Sequence, residues 1–375
     1  MRFVFTSYSS SPEFTSPERW LARIAFYTGI LESLSRMHIV TGIEQISYKG
    51  EFKQKGVNYV FIPHRKKVNR FPFKKNTAIK QLKPDVVFIN GFIFPLQTIL
   101  LRLKLGFKVK IIILHRAEKP FTGYKKMLQV LADKFIDAYF FTSFEFGNTW
   151  IENGIVRKKS KFHEIIQSSS IFKPANKSIA KQRAGMAAAP IYLWVGRLDE
   201  NKDPLTVISG FFEFLKYSPH AKLYMIYQAK DLLKVIEEKI RTNEKHLSSI
   251  MLIGTVHHSE MENYYNASDF IISGSHYEGS GIAVCEAMSC GCIPILTNIP
   301  SFRKMTNDGE FGLLYEAGNE NSLLAALLYS LDLNIQKEQE SVKSHFLKEL
   351  SFDAIARKTN EVVESLFNTA SIQKD

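Results

Sequence analysis

Two glutamates flank a glycine-containing turn in the second half of the chain. Glu278 precedes the turn, and Glu286 lies eight residues later in a helix-forming run. At 1.5 Å per residue, the two carboxylates are roughly 10 Å apart along the helix axis. One carboxylate could therefore accept hydrogen bonds from a ribose while the other faces a sugar beyond a diphosphate. The alternative is that both glutamates lie on a solvated helix.

The turn itself has the composition of an anion-binding loop. It follows the strand-like segment Phe270–Ser273 and contains Gly279, Ser280, Gly281 and Ile282. A strand–turn–helix connection leaves the first amide groups of the helix without partners, and the helix dipole favours an anion beside them. The two glycines let the backbone approach a phosphate or a sugar closely.

Two cations follow an earlier strand of the same region. Arg197 and Lys202 come after the segment Ile191–Val195 and share one loop at its end. A diphosphate needs concentrated positive charge as its bond breaks; arginine can bind it bidentately, and lysine acts as a point charge. The alternative is a pair of exposed cations beside the three acidic residues of the same loop.

The elements that position these residues alternate between strands and helices. In the first half, the sequence predicts strands at Phe3–Tyr8, Val57–Ile62, Val86–Asn90, Lys110–Leu114 and Tyr139–Thr142, with helices at Pro17–Met37, Leu96–Leu105 and Lys125–Phe135. In the second half, it predicts strands at Ile191–Val195, Lys222–Tyr227, Ile250–Ile253, Phe270–Ser273 and Ile293–Leu296. This alternation is typical of α/β folds with parallel sheets, which bind ligands at the carboxyl ends of their strands.

A chain of 375 residues suits two domains. We predict two doubly wound, Rossmann-like parallel-sheet domains, residues 1–175 and 176–350, facing each other across a cleft. The polar, strand-poor stretch Lys173–Pro190 is interpreted as the linker. Residues 351–375 contain a last helix, about Phe352–Phe367, which we expect to pack back on the first domain.

The net charge of +12 is unevenly distributed. Residues 1–175 carry 29 basic and 12 acidic side chains, a charge of +17, whereas residues 176–375 carry 20 and 25, a charge of −5. The first domain therefore suits an anionic surface or substrate. Its densest basic segment, His64–Lys75, is either a membrane-surface loop or a solvated loop. Nucleic acid is not expected, because no recognised binding motif accompanies the charge.

Several classes of protein and site are not expected. A hydrophobic content of 45% and a charged content of 23% are typical of globular proteins rather than disordered ones. No signal-peptide pattern opens the chain, and its most apolar stretch is too short to span a bilayer. Three cysteines, Cys285, Cys290 and Cys292, are interpreted as small buried residues rather than metal ligands or disulfides. A reducing cytoplasm suits them.

The second half resembles a known family. Glu278 to Glu286 resembles the E-x7-E motif of the retaining two-domain (GT-B) glycosyltransferases, especially family 4 (glycosyl transferases group 1). The run from Val195 to Lys202 resembles the V-G-R-L-x-x-x-K signature of that family, and Ala287–Ile295 and Gly312–Tyr315 are similar to its later segments. These motifs appear in order over nearly the whole second domain, whereas the first domain matches only loosely.

The resemblance implies roles in binding a nucleotide-sugar. Arg197 and Lys202 would hold the diphosphate, Glu286 would bind the ribose, and Glu278 would stabilise or position the transferred sugar. The backbone along the base would come from Gly254, Thr255 and Val256.

Two residues of the first domain are further candidates. His115 follows a predicted strand, so that it would touch the donor sugar near the reacting centre or, equally, serve a structural role. Ser143 follows another predicted strand and is a weaker candidate.

The resemblance further implies a retaining hexosyltransferase of polysaccharide assembly. It would use a nucleotide-diphosphate-sugar donor and a saccharide or lipid-linked saccharide acceptor. No cofactor is expected, and no metal, because the chain contains no Asp-x-Asp motif. A cytoplasmic enzyme held on the inner face of the cell membrane by its basic first domain would fit these features. The alternatives are a nucleotide-sugar epimerase, a phosphorylase, or a non-catalytic nucleotide- or glycan-binding module of the same fold.

Overall fold

The computed structural model describes residues 1–63, 72–187 and 190–372. The chain folds into two compact units. The first comprises Met1–Ser169 and Phe352–Asp375, and the second comprises Ser170–Ser351. Most of the basic segment His64–Lys75 falls at residues 64–71, which lie outside the described part of the chain. Its placement on a membrane therefore stays a prediction.

The first unit is built on an eight-stranded sheet. Its strands are β1 (Arg2–Thr6), β2 (Ile39–Ile46), β3 (Gly50–Gln54), β4 (Val57–Pro63), β5 (Val86–Asn90), β6 (Lys110–Leu114), β7 (Ala138–Phe141) and β8 (Phe162–Glu164). They lie in the order β3-β4-β2-β1-β5-β6-β7-β8, and all neighbours are parallel except β3 and β4. The apolar, buried runs of β5 to β7 are typical of strands covered on both faces.

Helices of the first unit follow its strands. They are α1 (Pro17–Arg23), α2 (Ala25–Leu34), α3 (Phe73–Gln81), α4 (Pro95–Leu105), α5 (Gly123–Asp133) and α6 (Phe144–Glu152). The prediction of one helix at Pro17–Met37 is wrong, because the chain breaks it at Ile24, where the backbone takes φ −107° and ψ 23°. The amide of Ile24 still donates to Trp20 and its carbonyl accepts from Tyr27, so the apolar periodicity runs through the break.

The second unit contains a six-stranded, wholly parallel sheet. Its strands are β9 (Ile191–Gly196), β10 (Lys222–Tyr227), β11 (Ile250–Gly254), β12 (Phe270–Ser273), β13 (Ile293–Thr297) and β14 (Leu313–Tyr315). They lie in the order β11-β10-β9-β12-β13-β14. All five strands predicted here are present, and β14 adds a sixth. The predicted α/β fold class with two parallel-sheet domains is confirmed.

Eight helices accompany this second sheet. They are α7 (Lys177–Ala184), α8 (Pro204–Phe214), α9 (Leu233–Arg241), α10 (Met261–Ala267), α11 (Ile282–Cys290), α12 (Pro300–Thr306), α13 (Glu320–Tyr329) and α14 (Ile335–His345). The stretch interpreted as a linker holds α7, which begins where Asn176 accepts a hydrogen bond from the amide of Ile179. The predicted start of α8 is confirmed, because Asp203 accepts from the amide of Thr206 and Pro204 is the first helical residue.

The last helix, α15 (Phe352–Ile372), belongs to the first unit and packs on α2. The Phe352 ring lies so close to Gly29 that a Cβ there would come within 2.5 Å of it. Asp353 Oδ1 accepts a hydrogen bond from Ser33 Oγ at 2.6 Å. Among the described residues, no helix combines the length and the apolar composition that a bilayer crossing requires.

Candidate active site

The candidate site of the second unit lies where its strand connections change direction. From β9 the chain builds β10 and β11 on one side of the sheet, and then β12 to β14 on the other. Doubly wound sheets bind ligands at the carboxyl ends of the two strands that flank this switch point. Arg197 and Lys202 follow β9, and Glu278 follows β12, so all three lie on the two flanking loops.

The structure brings Lys202 and Glu278 together although 76 residues separate them. Lys202 Nζ forms an ion pair with Glu278 Oε1, and the two side chains are only 21% and 17% exposed. Ser275, which is fully buried, donates a hydrogen bond from Oγ to the same Oε1 at 3.1 Å. One cation, one carboxylate and one hydroxyl therefore form a compact polar group at the switch point.

Glycine at position 274 allows the two loops to approach. A Cβ there would lie 2.9 Å from the carbonyl oxygen of Asp203 and 3.1 Å from that of Lys202. The amide of His276 donates to the carbonyl of Asn201 at 2.8 Å, which joins the loops beside this contact. Any side chain at position 274 would push the loops apart and separate Lys202 from Glu278.

Arg197 is connected to this pair through an acid. Its Nη2 lies 2.9 Å from Asp199 Oδ2, while Asp199 Oδ1 accepts the backbone amide of Lys202 at 2.9 Å. The Arg197 side chain is 63% exposed. It therefore extends from the loop in the manner of the alternative interpretation, an exposed cation beside an acid, whereas Lys202 does not.

The charge of Lys202 is under opposing influences. Burial, followed by the charge of Arg197, lowers the pKa of Lys202 to about 8, and Asp199 acts in the opposite direction. The carboxylate of Glu278 at Nζ also favours the charged form. Two cations this close raise each other's free energy, and an added diphosphate would relieve the repulsion.

The turn before α11 presents its amides without a capping side chain. Gly281 is the N-cap residue, with φ +52°, and a Cβ there would lie 2.7 Å from the Phe302 ring. Both the left-handed backbone and the space therefore require glycine. Gly279 and Ser280 are partly exposed, and Ile282 opens the helix with an exposed side chain. The first amides of α11 are suited to an anion, as the sequence indicates.

Glu286 lies inside α11 and is almost fully buried. Its Oε1 accepts a hydrogen bond from His258 Nε2 at 2.8 Å, and its Oε2 accepts one from the Tyr265 hydroxyl at 2.9 Å. Within the described residues it bonds to these partners and not to Lys202 or Glu278. Sequence reasoning missed both partners, which lie on other elements and show no spacing relation to Glu286.

The segment expected along the nucleotide base follows β11. Gly254 takes φ +82° and has open space where a Cβ would point. Thr255 Oγ1 donates to the carbonyl of Tyr227 at 3.3 Å, and Val256 packs into the core. Only the backbone of this segment is suited to a ligand, and its contact with a base stays a prediction.

In the first unit, His115 is buried at the end of β6. Its Nδ1 accepts the amide of Ala117 at 3.3 Å, and its Nε2 donates to the carbonyl of Glu118 at 3.0 Å. The ring also packs against Phe141 and Trp150. Burial lowers the pKa of His115 to about 4, so the imidazole is neutral at pH 7. These contacts agree with the structural alternative, and contact with a donor sugar stays a prediction.

Other singled-out residues have structural partners. Ser143 caps α6 by accepting the amide of Glu145 at 3.3 Å. The three cysteines are buried free thiols, which confirms their interpretation as small core residues. Over the described ranges, no group of three or more His, Cys, Asp or Glu side chains is arranged to hold a metal ion.

Solved structures share this fold along nearly the whole chain. HepE of Anabaena, crystallised with UDP, matches with a TM-score of 0.74 over 97% of this chain and 100% of its own, at 14% identity. Sucrose-phosphate synthase of Thermosynechococcus elongatus matches with a TM-score of 0.70 over 98% and 99%, at 16% identity. These likenesses show the GT-B fold.

Curated relatives match the chain over shorter segments. Alpha-monoglucosyldiacylglycerol synthase of Streptococcus pneumoniae is 26% identical over 185 residues, 49% of this chain and 40% of the relative. N-acetylgalactosamine-N,N'-diacetylbacillosaminyl-diphospho-undecaprenol 4-alpha-N-acetylgalactosaminyltransferase of Campylobacter jejuni is 29% identical over 143 residues, 37% of each chain. The chain thus spans about two fifths of the length of these relatives.

The family comparison falls on the unit that holds the candidate site. Residues 177–344 match the model of the family described as glycosyl transferases group 1. This range covers Arg197, Lys202, Glu278 and Glu286, and the fold around it is the GT-B fold. The chain belongs to the glycosyl transferases group 1 family, and residues 177–344 carry that membership.

Proposed function

We propose that this protein transfers a sugar from a nucleotide-diphosphate-sugar to a saccharide or lipid-linked saccharide, with retention of anomeric configuration. The observation that carries the proposal is the Lys202–Glu278 ion pair at the switch point of the second sheet. It places a cation suited to a diphosphate beside a carboxylate suited to the sugar that the diphosphate carries. Family membership and relatives named as glycosyltransferases support the same reaction.

The leaving group is the part of the reaction that the site serves best. When the sugar–phosphate bond breaks, negative charge develops on the diphosphate. Lys202, the exposed Arg197 and the first amides of α11 are positive groups that would stabilise this charge. Because they are held in place by the fold, they need little reorganisation. No dedicated metal ion is required by this scheme.

Glu278 would act on the sugar side. A front-face transfer lets the departing phosphate assist deprotonation of the acceptor hydroxyl, while Glu278 stabilises or positions the sugar. Its Oε1 is held by Lys202 and Ser275, so the carboxylate has a fixed direction. Glu286 would accept hydrogen bonds from the ribose, in competition with His258 and Tyr265.

Thermal stabilisation by a panel of UDP-, GDP- and ADP-sugars tests the donor. A specific donor raises the melting temperature by mass action, and no stabilisation by any of them would contradict the proposal. Incubation with the stabilising donor alone then separates an epimerase, which yields an isomerised nucleotide-sugar. Product NMR with a saccharide acceptor reports the anomeric configuration, and an inverted product would remove the claim of retention.

The acceptor is proposed from the relatives' names. One relative is named for a glucosyldiacylglycerol, and two others are named for diphospho-undecaprenol and diphosphopolyprenol substrates. These names support a lipid-linked acceptor for this chain. An enzyme with such an acceptor works at a membrane surface.

A surface of the first unit suits contact with a membrane. Helices α4 and α5 pack together and expose large apolar side chains, each at least 42% exposed: Leu103, Phe107, Tyr124, Met127 and Leu131. We call these five residues the α4–α5 surface. Lys104, Lys108 and Lys125 are exposed beside it, whereas Asp133 is buried and paired with Lys161. Apolar side chains among lysines are typical of a surface that binds anionic lipid.

Flotation with vesicles that contain anionic phosphatidylglycerol tests this surface. We expect the wild-type protein to float with them at low salt, and a variant with Met127→Ser and Leu131→Ser to float much less. Tyr217→Ser, at an exposed aromatic of the second unit, is the matched control. Equal flotation of the double variant and the control, or no flotation of the wild type, would contradict the membrane assignment.

A further inference from the structure

A cavity of about 200 Å³ lies in the first unit, at the carboxyl ends of four strands. Its walls come from the loop after β1, the end of β2, Asn90 at the end of β5, and Arg116 after β6. The order β2-β1-β5-β6 makes this the switch point of the first sheet. Doubly wound sheets bind ligands at such a point, so the first unit has a binding position equivalent to that of the second.

One acidic side chain, Glu44 of β2, stands in the wall of this cavity. Its Oε2 accepts a hydrogen bond from the indole Nε1 of Trp20 at 3.0 Å. Burial raises the pKa of Glu44 to about 7, and the indole bond and the charge of Lys75 only partly offset the effect. A carboxyl group that titrates near neutrality can both accept and donate hydrogen bonds, as a sugar hydroxyl does.

The nearby cations already bind protein oxygens. Arg116 Nε and Nη2 donate to Asn90 Oδ1 at 3.1 and 2.6 Å, and Nη1 donates to the carbonyl of Gln167 at 3.0 Å. Lys75 donates to Gln45 Oε1 at 2.9 Å. An anion entering the cavity would meet the Glu44 carboxyl group while these cations are engaged elsewhere. The cavity therefore favours an uncharged ligand.

The remaining walls suit a sugar ring. Trp20 and Tyr27 supply aromatic surfaces, against which the C–H face of a sugar can pack. Hydroxyl groups that donate and accept come from Ser7, Ser9, Ser10 and Ser11. The volume is below the roughly 300–1,000 Å³ of sites for drug-sized ligands, and suits a single ring.

We propose that this cavity binds an uncharged sugar ring of the acceptor, with Glu44 bonding to its hydroxyl groups and Trp20 packing against its face. The inference rests on the proposed function and adds the acceptor class, a neutral saccharide end rather than a phosphate or another anion. The α4–α5 surface and the cavity then serve different parts of one acceptor: the surface contacts the lipid layer, and the cavity holds the sugar.

Saturation-transfer NMR on the full-length protein tests the cavity without any donor. The probes are methyl glycosides of neutral hexoses and N-acetylhexosamines, with hexose phosphates and inorganic phosphate as anionic counterparts. We expect at least one neutral glycoside to bind, at least tenfold weaker binding in Glu44→Ala, and partial rescue in Glu44→Gln. Glu51→Ala, at an exposed acid of β3, is the matched control and should bind as the wild type does.

Three results would overturn the assignment: no glycoside binds, an anionic probe binds more tightly than every neutral one, or Glu44→Ala binds as well as the wild type. Circular dichroism checks the fold of each variant, and Trp20→Leu, with the same expected loss, replaces Glu44→Ala if that variant unfolds. Calorimetry with nucleotide-sugars on the same samples reports on the second unit. Glycoside binding without any nucleotide-sugar binding would remove the proposed function and leave the cavity assignment standing.

Discussion

Removing the two members of the Lys202–Glu278 pair should have opposite effects on nucleotide binding. Lys202→Met removes a positive charge and keeps the aliphatic stem, whereas Glu278→Gln removes the opposing charge and keeps the shape. If Lys202 binds the diphosphate, the first change weakens binding of a nucleoside diphosphate. The second does not, because it removes a carboxylate that repels the diphosphate and competes for Nζ.

The size of the effect follows from the bond that is lost. A hydrogen bond to a charged group contributes about 1.5–3 kcal/mol, and about 1.4 kcal/mol corresponds to a factor of ten. Lys202→Met should therefore raise the dissociation constant about 10- to 150-fold. Glu278→Gln should leave it unchanged or lower it, and should slow sugar transfer by about 100-fold, as loss of a transition-state contact does.

Isothermal titration calorimetry with the nucleoside diphosphate of the stabilising donor measures both effects. Lys216→Met and Glu213→Gln provide the control, because this ion pair lies exposed on the same unit with Nζ and Oε2 2.5 Å apart. Neither control should change the affinity. If Lys202→Met and Glu278→Gln weaken nucleotide binding alike, the pair only braces the two loops, and the assignment of Lys202 to the diphosphate is refuted.

Three further outcomes are expected. Glu286→Gln should weaken nucleotide binding about tenfold by calorimetry, since one charge-assisted hydrogen bond to the ribose is lost; unaltered affinity would contradict that role. Between pH 6.5 and 4, the unfolded chain protonates His115 while the folded protein does not, so stability falls by about 3 kcal/mol as pH falls. Urea unfolding of His115→Gln should show a flatter pH dependence there. Gly281→Ala, at φ +52° and against Phe302, should lower the melting temperature, and an unchanged value would contradict the packing described.

Local pattern was enough to predict much of the sheet framework. The bounds of β5, β6, β10 and β12 agree with the predicted segments, because buried parallel strands read as short apolar runs between turn residues. Strand β2 was missed, since Glu44 and Gln45 interrupt its apolar run where it reaches the cavity. The residues that hide a strand from pattern analysis are here the ones that line a binding position.

The candidate site could be predicted only in part. Arg197, Lys202 and Glu278 were identified because each follows a strand, and parallel strands present their carboxyl ends at one edge. Ser275 and Gly274 were missed, although their position directly after β12 was a usable signal. His258 and Tyr265 could not have been found, because their contact with Glu286 depends on how α10 packs against α11.

A crystal structure of the protein with a nucleoside diphosphate would test the assigned site most directly. We expect phosphate oxygens at about 2.7–2.9 Å from Lys202 Nζ, with the first amides of α11 donating to the same group and the ribose hydroxyls at Glu286. A diphosphate bound away from the loops that follow β9 and β12 would contradict the assignment.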